Sequence, residues 1–277
     1  MRLDKVSERV YANCDGVTGG NVGIVVLEDR VIAVDAQYPG SAKGFRASIP
    51  SVTDRPVTHL LLTHVHGDHV FGNQAFEDCE IVGHVRVKEK MEENLRTEWA
   101  PGNLEKMLEN IKVTRPERAW LFEGLKIVLP TKTFKDRYGL DGIEVIHTGG
   151  HSDCSSIVYV PEDRTLFAGD LVFAKTFPWA GDPTASPDDW IEAFKRILGM
   201  DVDTIVPGHG PLCDKDEIRT QLAWFEAAKS TMARLIAEGA SEEEVVNYDG
   251  YPEFYESTGD RMARSLRTWY KVLSKEG

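Results

Sequence analysis

Apolar positions along the chain follow two rhythms. Short strand-like runs occupy Arg9 to Asn13, Asn21 to Leu27, Val31 to Asp35 and Val57 to Thr63, with a helical pattern between Gly40 and Ile49. The second half repeats the theme, with strands predicted at Leu125 to Leu129, Ile143 to His147, Ser156 to Val160, Thr165 to Ala168 and Thr204 to Val206. Two helices carry clear end signals. Ser186 as N-cap, Pro187 in the first turn, Asp188 and Asp189 against the dipole and Gly199 past the end frame an apolar face of Trp190, Phe194, Ile197 and Leu198. Asp214 and Glu217 form a capping-box pattern ahead of Ile218, Leu222, Phe225, Met232 and Leu235. Between the halves, Val85 to Ile111 is helical in character, with Val87, Met91 and Leu95 on one face and Leu104, Met107, Leu108 and Ile111 on another. Pro101-Gly102 breaks that stretch in two. Strands mixed with helices predict an α/β protein in which helices layer against two sheets.

The strand ends carry the chemistry. The apolar run His59 to Thr63 leads into His64-Val65-His66-Gly67-Asp68-His69, and imidazole nitrogens and carboxylate oxygens are what Zn²⁺ and similar cations take. In an extended segment side chains two apart point the same way, so His64 and His66 can grip one ion. Gly67 permits a sharp turn, after which Asp68 and His69 can face a second position. The plain alternative, solvated loop histidines beside a surface aspartate, fits poorly with three of the chain's 8 histidines falling in so short a stretch. Further ligand types stand at the ends of other strand-like runs: His151 after Thr148-Gly149-Gly150, Asp170 after Thr165 to Gly169, and His209 within Thr204 to Gly210. A glycine beside each lets the backbone approach an ion closely.

This ordered set, Asp35, the His64 to His69 cluster, His151, Asp170 and His209, resembles the metallo-β-lactamase superfamily of binuclear metallohydrolases over nearly the whole chain. The resemblance implies a four-layer αββα sandwich, with residues 1–277 as one domain. It implies that His64, His66 and His151 hold a first metal, that Asp68, His69 and His209 hold a second, and that Asp170 bridges them. Two Zn²⁺ are the implied cofactors, with Fe or Mn as substitutes in one or both positions. Asp35, ending Val31 to Val34, matches the carboxylate that orients the ligands from behind, although a turn-forming Asp after a strand reads the same way.

Departures from the relatives narrow the chemistry. The zinc β-lactamases carry Cys or Ser where this chain has Asp170, so lactam cleavage is expected only as a promiscuous activity. Glyoxalase II enzymes often continue their third motif with Thr-Pro-Gly, whereas Ser152-Asp153-Cys154 follows His151 here. The C-terminal end also looks short for a glutathione-binding helical domain. The expected reaction is attack by a hydroxide shared between two Zn²⁺ on an ester, lactone, thioester or lactam carbonyl, or on the phosphorus of a phosphodiester or phosphonate, with Asp68 moving the proton. Two rivals remain. One is a mononuclear Fe²⁺ oxidoreductase resembling the persulfide dioxygenases, using His64, His66 and Asp170; the other is a binding protein that merely retains the fold, against which the intact ligand set argues. No Ser-His-Asp order or Gly-x-Ser-x-Gly elbow competes for the nucleophile role.

Composition narrows the partners. A length of 277 residues with 42% hydrophobic content can bury a large core. A formal charge of −13 repels a phosphate backbone, so no nucleic-acid partner is expected, and the anticipated partner is a small-molecule substrate. Met1 to Glu8 contain no apolar signal region and no run approaches about 18 apolar residues, so no membrane association and a cytoplasmic location are expected. Cys14, Cys79, Cys154 and Cys213 lie far apart and read as small buried residues. Phe173, Lys175, Phe177 and Trp179 follow Asp170 closely, either as an apolar wall with one cation for a substrate carboxylate or phosphate, or as core packing beside a solvated Lys. His84, after Ile81-Val82-Gly83, is a candidate for the site rim, while His59 and His147 read as structural. The helical insert at 85–111 is placed to cap the site or simply to connect. Trp224, Tyr251, Phe254, Tyr255, Trp269 and Tyr270 face either a homodimer partner or the core.

Overall fold

Side chains alternate across a strand, and where both faces are apolar one strand feeds two cores. Strand β4 (Val31–Val34) is wholly buried: Val31 and Ala33 enter one cluster, Ile32 and Val34 another. The computed structural model, which describes residues 1–257 and 259–275, builds two sheets on this rule. The first contains β1 (Asp4–Lys5), β2 (Val10–Asn13), β3 (Val22–Val26), β4, β5 (Val57–Leu61), β6 (Glu80–His84) and β7 (Lys132–Phe134), in that order across the sheet. Antiparallel as far as β4, it continues parallel from β4 to β7. Parallel neighbours require crossovers, which pass through α1 (Pro39–Ser48), α2 (Gly67–Val70), α3 (Val85–Arg96) and α4 (Pro101–Thr114). The second sheet holds β8 (Arg137–Leu140), β9 (Ile143–His147), β10 (Ser156–Val160), β11 (Thr165–Phe173) and β12 (Thr204–His209), ordered β12-β11-β10-β9-β8.

Three clusters mark the three interfaces of an αββα sandwich. Ile32, Val34, Leu61 and Val82 of the first sheet meet Val145, Val158, Phe167 and Val206 of the second. On the outer face of the first sheet, Ile24, Leu60 and Ile81 pack on Phe45 of α1 and on Val87 and Met91 of α3. Outside the second sheet, Leu166, Ala168 and Ile205 pack on α5 (Pro187–Gly199), α6 (Lys215–Ala237), α7 (Glu242–Val246) and α8 (Arg261–Leu273) through Trp190, Phe194, Phe225, Val245 and Trp269. Each such buried aromatic contributes about 1.5–3 kcal/mol. The N-cap at Ser186 forms as expected, its Oγ accepting from the Asp189 N–H. Pro101 opens α4, so the break in the helical insert also stands.

Several expectations are corrected. Leu125 to Leu129 forms no strand: the Lys126 N–H donates to Gln74 Oε1 (2.6 Å) and the Val128 carbonyl accepts from Asn73 Nδ2 (2.9 Å), so side chains satisfy backbone that a ladder would have used. Its apolar residues fill the outer core of the first sheet from a loop. The strands at Thr165 and Thr204 run on to Phe173 and His209. At the start of α6 no capping box forms: Asp214 accepts from the Asp216 N–H, and Glu217 turns inward to Lys175, Gln221 and Tyr255. Gly199 is the last helical residue rather than the first beyond it. Of the C-terminal aromatics, Trp224 and Trp269 belong to the core. No helix among the described residues is long and apolar enough to cross a membrane.

Candidate metal centre

Strands β4 and β5 run parallel, so their C-terminal ends share an edge, and the first ligand types gather there. Asp35 stands one residue beyond β4 in a left-handed conformation (φ 57°) that Asp tolerates better than most side chains. Its Oδ1 accepts from the Thr63 N–H (2.8 Å), and its Oδ2 accepts from Thr63 Oγ1 (2.7 Å) and faces His69 Nδ1 (2.8 Å). The carboxylate thereby fixes the β5 exit and the His69 ring together, turning His69 Nε2 toward Asp170 Oδ1 at 3.1 Å. Asp170 lies inside β11, where a register irregularity between Gly169 and Phe173 bends the strand, as bulges do near active sites. Close approach is essential: a Cβ on Gly208 would lie 2.1 Å from Asp170 Oδ1, and one on Gly20 would lie 2.5 Å from the His69 ring.

All seven expected ligand residues converge, in two groups. In the first, His66 Nδ1 lies 3.1 Å from His64 Nε2 and 2.8 Å from His151 Nε2, and Asp170 Oδ2 stands 3.7 and 3.5 Å from those same two nitrogens. In the second, His209 Nε2 is 3.3 Å from Asp68 Oδ2, and His69 Nε2 is 4.0 Å from Asp68 Oδ1. Asp170 Oδ1 faces this second group, 3.3 Å from His209 Nε2. One carboxylate therefore presents one oxygen to each group.

Electrostatics separates the groups. Burial holds His64 well below its usual value and lowers His151 to about 3, so both are neutral donors. Burial opposes charge on His209 too, but Asp170 and Asp68 overcome it and raise that imidazole to about 9. His69 is likewise raised against burial, by Asp170, Asp35 and Asp68. Both carboxylates are pulled below their ordinary range in spite of burial, Asp68 chiefly by His69 and Asp170 chiefly by His209. His69 Nε2 and Asp170 Oδ1, both facing the groups, are buried without an aligned hydrogen bond, a costly condition in an apolar interior. Orphaned donor atoms beside crowded imidazole nitrogens fit divalent cations of borderline hardness.

A cleft of 430 Å³ opens beside the first group, lined by Tyr38, Phe71, Trp99, Met107, Phe122 and Trp179 among others. The helical insert supplies one wall through Asn94 of α3, Trp99 between the helices and Met107 and Ile111 of α4. A larger surface depression of 680 Å³ around Arg9 and Arg55 contains none of the ligand residues. Among the expected substrate contacts, Trp179 lines the cleft, with its ring 5.1 Å from that of His66. The others are corrected. Phe177 is buried against Trp224 and Phe254. Lys175 turns to Glu217 (2.8 Å) and Tyr255. His84 stacks on His147 (3.9 Å, 5°) and caps α3, so it shapes the fold rather than the rim. Phe173 is buried with its ring parallel to His209 at 5.1 Å. Cys154 is fully buried and burial raises its thiol to about 12, as a packing residue.

Sequence reading missed Asp182. Its Oδ2 lies 2.8 Å from His66 Nε2, its Oδ1 accepts from the Thr184 N–H and hydroxyl, and its carboxylate is held well below the usual range, burial notwithstanding, by His66 and Thr184. The ring of His66 is thus oriented with Nδ1 toward the other imidazoles. Tyr38, which lines the cleft, was missed as well; burial and then Asp68 hold its phenol protonated. No motif surrounds either residue; only the return of their loops to the strand ends brings them in.

Known proteins share this fold and much of this sequence. The family model described as the metallo-beta-lactamase superfamily matches residues 15–209. The chain is 27% identical over 273 residues to the 2,4-dinitroanisole O-demethylase subunit alpha of Nocardioides sp. (strain JS1661), covering 95% of this chain and 72% of that one. To the uncharacterized protein YobT of Bacillus subtilis (strain 168) it is 44% identical over 223 residues, covering 76% and 91%. The crystal structure of DIM-1 metallo-beta-lactamase superposes with a TM-score of 0.64 at 19% identity, over 82% of this chain and 97% of that one. With the fold, the ordered motifs and this match in agreement, the chain belongs to the metallo-beta-lactamase superfamily.

Proposed function

We propose that the chain is a hydrolase of carboxylic esters, lactones or thioesters that works with two zinc ions. His64, His66 and His151 would hold one, Asp68, His69 and His209 the other, and Asp170 would contact both. The observation that carries this reading is Asp170, whose Oδ2 faces one group of imidazoles and whose Oδ1 faces the other. Bound there, the cations supply Lewis acidity and lower the pKa of a water toward about 7. The protein's residues do the rest. Asp68 is the more open carboxylate, its side chain 20% exposed against 5% for Asp170, so Asp68 is the better placed of the two to accept a proton. Tyr38 keeps its proton and offers an O–H along the same wall. Trp99, Met107 and Trp179 exclude water around an acyl or alkyl group, and the insert of α3 and α4, which walls the cleft, limits what fits there. The name of the Nocardioides relative assigns that protein an O-demethylation, consistent with cleavage at an oxygen-linked carbon.

Elemental analysis paired with ester, lactone, thioester, phosphodiester and lactam probes tests the proposal. Two zinc per chain, with carbonyl hydrolysis lost on chelation and restored by zinc, is the expected result. One iron per chain with oxygen uptake and no hydrolysis would overturn it.

A further inference from the structure

Lys175 turns away to Glu217, but a second cation, Arg261, packs against the Phe173 ring. Arg261 opens α8, and its guanidinium carbon lies 4.9 Å from the centre of the Phe173 ring. That ring is in turn parallel to His209 at 5.1 Å, so an aromatic plate alone joins Arg261 to the second ligand group. One turn along, Ser265 accepts from the Ala180 N–H (2.9 Å) and meets the Pro178 carbonyl (3.4 Å). The first turn of α8 and the segment carrying Trp179 therefore form one wall. Arg261 is half-buried, and among the described residues no carboxylate lies within ion-pair distance of it. Burial lowers its pKa, and the charges that oppose this are Asp170 and Asp68. No carboxylate among the described residues thus pairs with the guanidinium directly, and a sheltered unpaired Arg is costly to keep.

We propose that Arg261 is the anion-recognition residue of this site, so that the natural substrate carries an oxyanion (carboxylate, sulfate or phosphate) besides the bond that is cleaved. The inference rests on the hydrolase reading for the identity of the reaction, but not for the binding. A planar fork over an aromatic face suits bidentate recognition of an oxyanion.

The zinc-loaded protein and its Arg261→Leu and Arg261→Lys variants, each checked for metal content and melting temperature, are compared on two esters. One is 4-nitrophenyl acetate; the other is mono-4-nitrophenyl succinate, which adds a carboxylate. The kcat/KM preference for the succinate ester should fall about 10–100-fold in Arg261→Leu, the scale of a charge-assisted hydrogen-bond pair, mainly through KM. Arg261→Lys, keeping the charge without the fork, should fall between. Succinate, sulfate and phosphate titrated against tryptophan fluorescence identify which oxyanion fits, with the same loss of affinity in Arg261→Leu. If the parent protein cleaves neither ester, the hydrolase reading fails alone and the titrations still decide Arg261. An unchanged ester preference together with unchanged anion affinity in both variants at full metal content overturns the proposal.

Discussion

The two ligand groups share Asp170 and are built from the same residue types, yet they are prepared in opposite ways. Around His66 the imidazoles of His64 and His151 are kept neutral by burial. Around Asp68 the imidazoles of His69 and His209 are kept charged by carboxylates that outweigh burial. The first group is already in ligand form, whereas the second must release protons before it can bind a cation. Neutral nitrogens would favour borderline cations in the first group; the carboxylates around the second would make it more tolerant of metal type and more sensitive to pH. Sequence alone does not show this difference, because Asp170 acts on rings of both groups, whereas Asp68, and at His69 also Asp35, adds its charge to the second group alone.

The largest effect should follow from removing what the groups share. Asp170→Asn leaves one oxygen and no charge between them. Loss of several kcal/mol of charge stabilisation corresponds to about a thousandfold or more in kcat, with metal content falling from two equivalents. Two tightly held metals and near-normal turnover in this variant would break the comparison at its centre. Asp68→Asn tests one side only. Its kcat should fall about 10²–10⁴-fold, the range for general acid–base groups, while the metal at His64, His66 and His151 is retained. Normal turnover at full occupancy would remove Asp68 from the proton-transfer role.

That asymmetry also marks how far the sequence could be read. His64 to His69 were legible because their spacing is local, and Asp170 and His209 because each follows an apolar run in the sequence with glycine beside it. Asp35 was legible only through the family pattern, and in the fold it contacts the Thr63 backbone and the His69 ring. Asp182 and Arg261 were not legible, since each is an ordinary polar residue that comes near the ligand groups only when its loop or helix folds back on the strand ends. Lys175 misled for the same reason, being close to Asp170 in sequence but turned to Glu217 in space. The expected strand at Leu125 to Leu129 failed because an apolar run reports burial, not hydrogen-bond partners.

Asp182 sharpens the comparison with a smaller effect, because it touches the first group alone. Asp182→Asn keeps the shape but weakens the orientation of His66, and such partners are typically worth about 10–100-fold in metal affinity or activity. Competition with a chelator, followed by metal content, should show one equivalent lost early while the other is held as in the parent. Equal weakening of both equivalents would mean that the groups are not separable.

The smallest expected effect is on stability, and it reads the protonation difference directly. In the metal-free protein His209 is raised from 6.5 to about 9, so its contribution is fully present below pH 6.5 and is lost as pH rises through about 9. A rise of that size carries on the order of 3 kcal/mol, or roughly 2–4 °C of melting temperature per kcal/mol for a chain of this size. His151 acts in the other window. Held neutral down to about 3, it destabilises the fold as pH falls from 6.5, where the unfolded chain takes up a proton and the folded one does not. The chelated protein should therefore be most stable near pH 6.5 and lose several degrees by pH 9. A zinc-loaded protein has no proton on His209 to lose, so its melting temperature should hold across the same interval. Parallel melting curves with and without zinc between pH 6.5 and 9 would show that His209 is not the proton-holding partner of Asp68 and Asp170, and the contrast between the two groups would reduce to geometry.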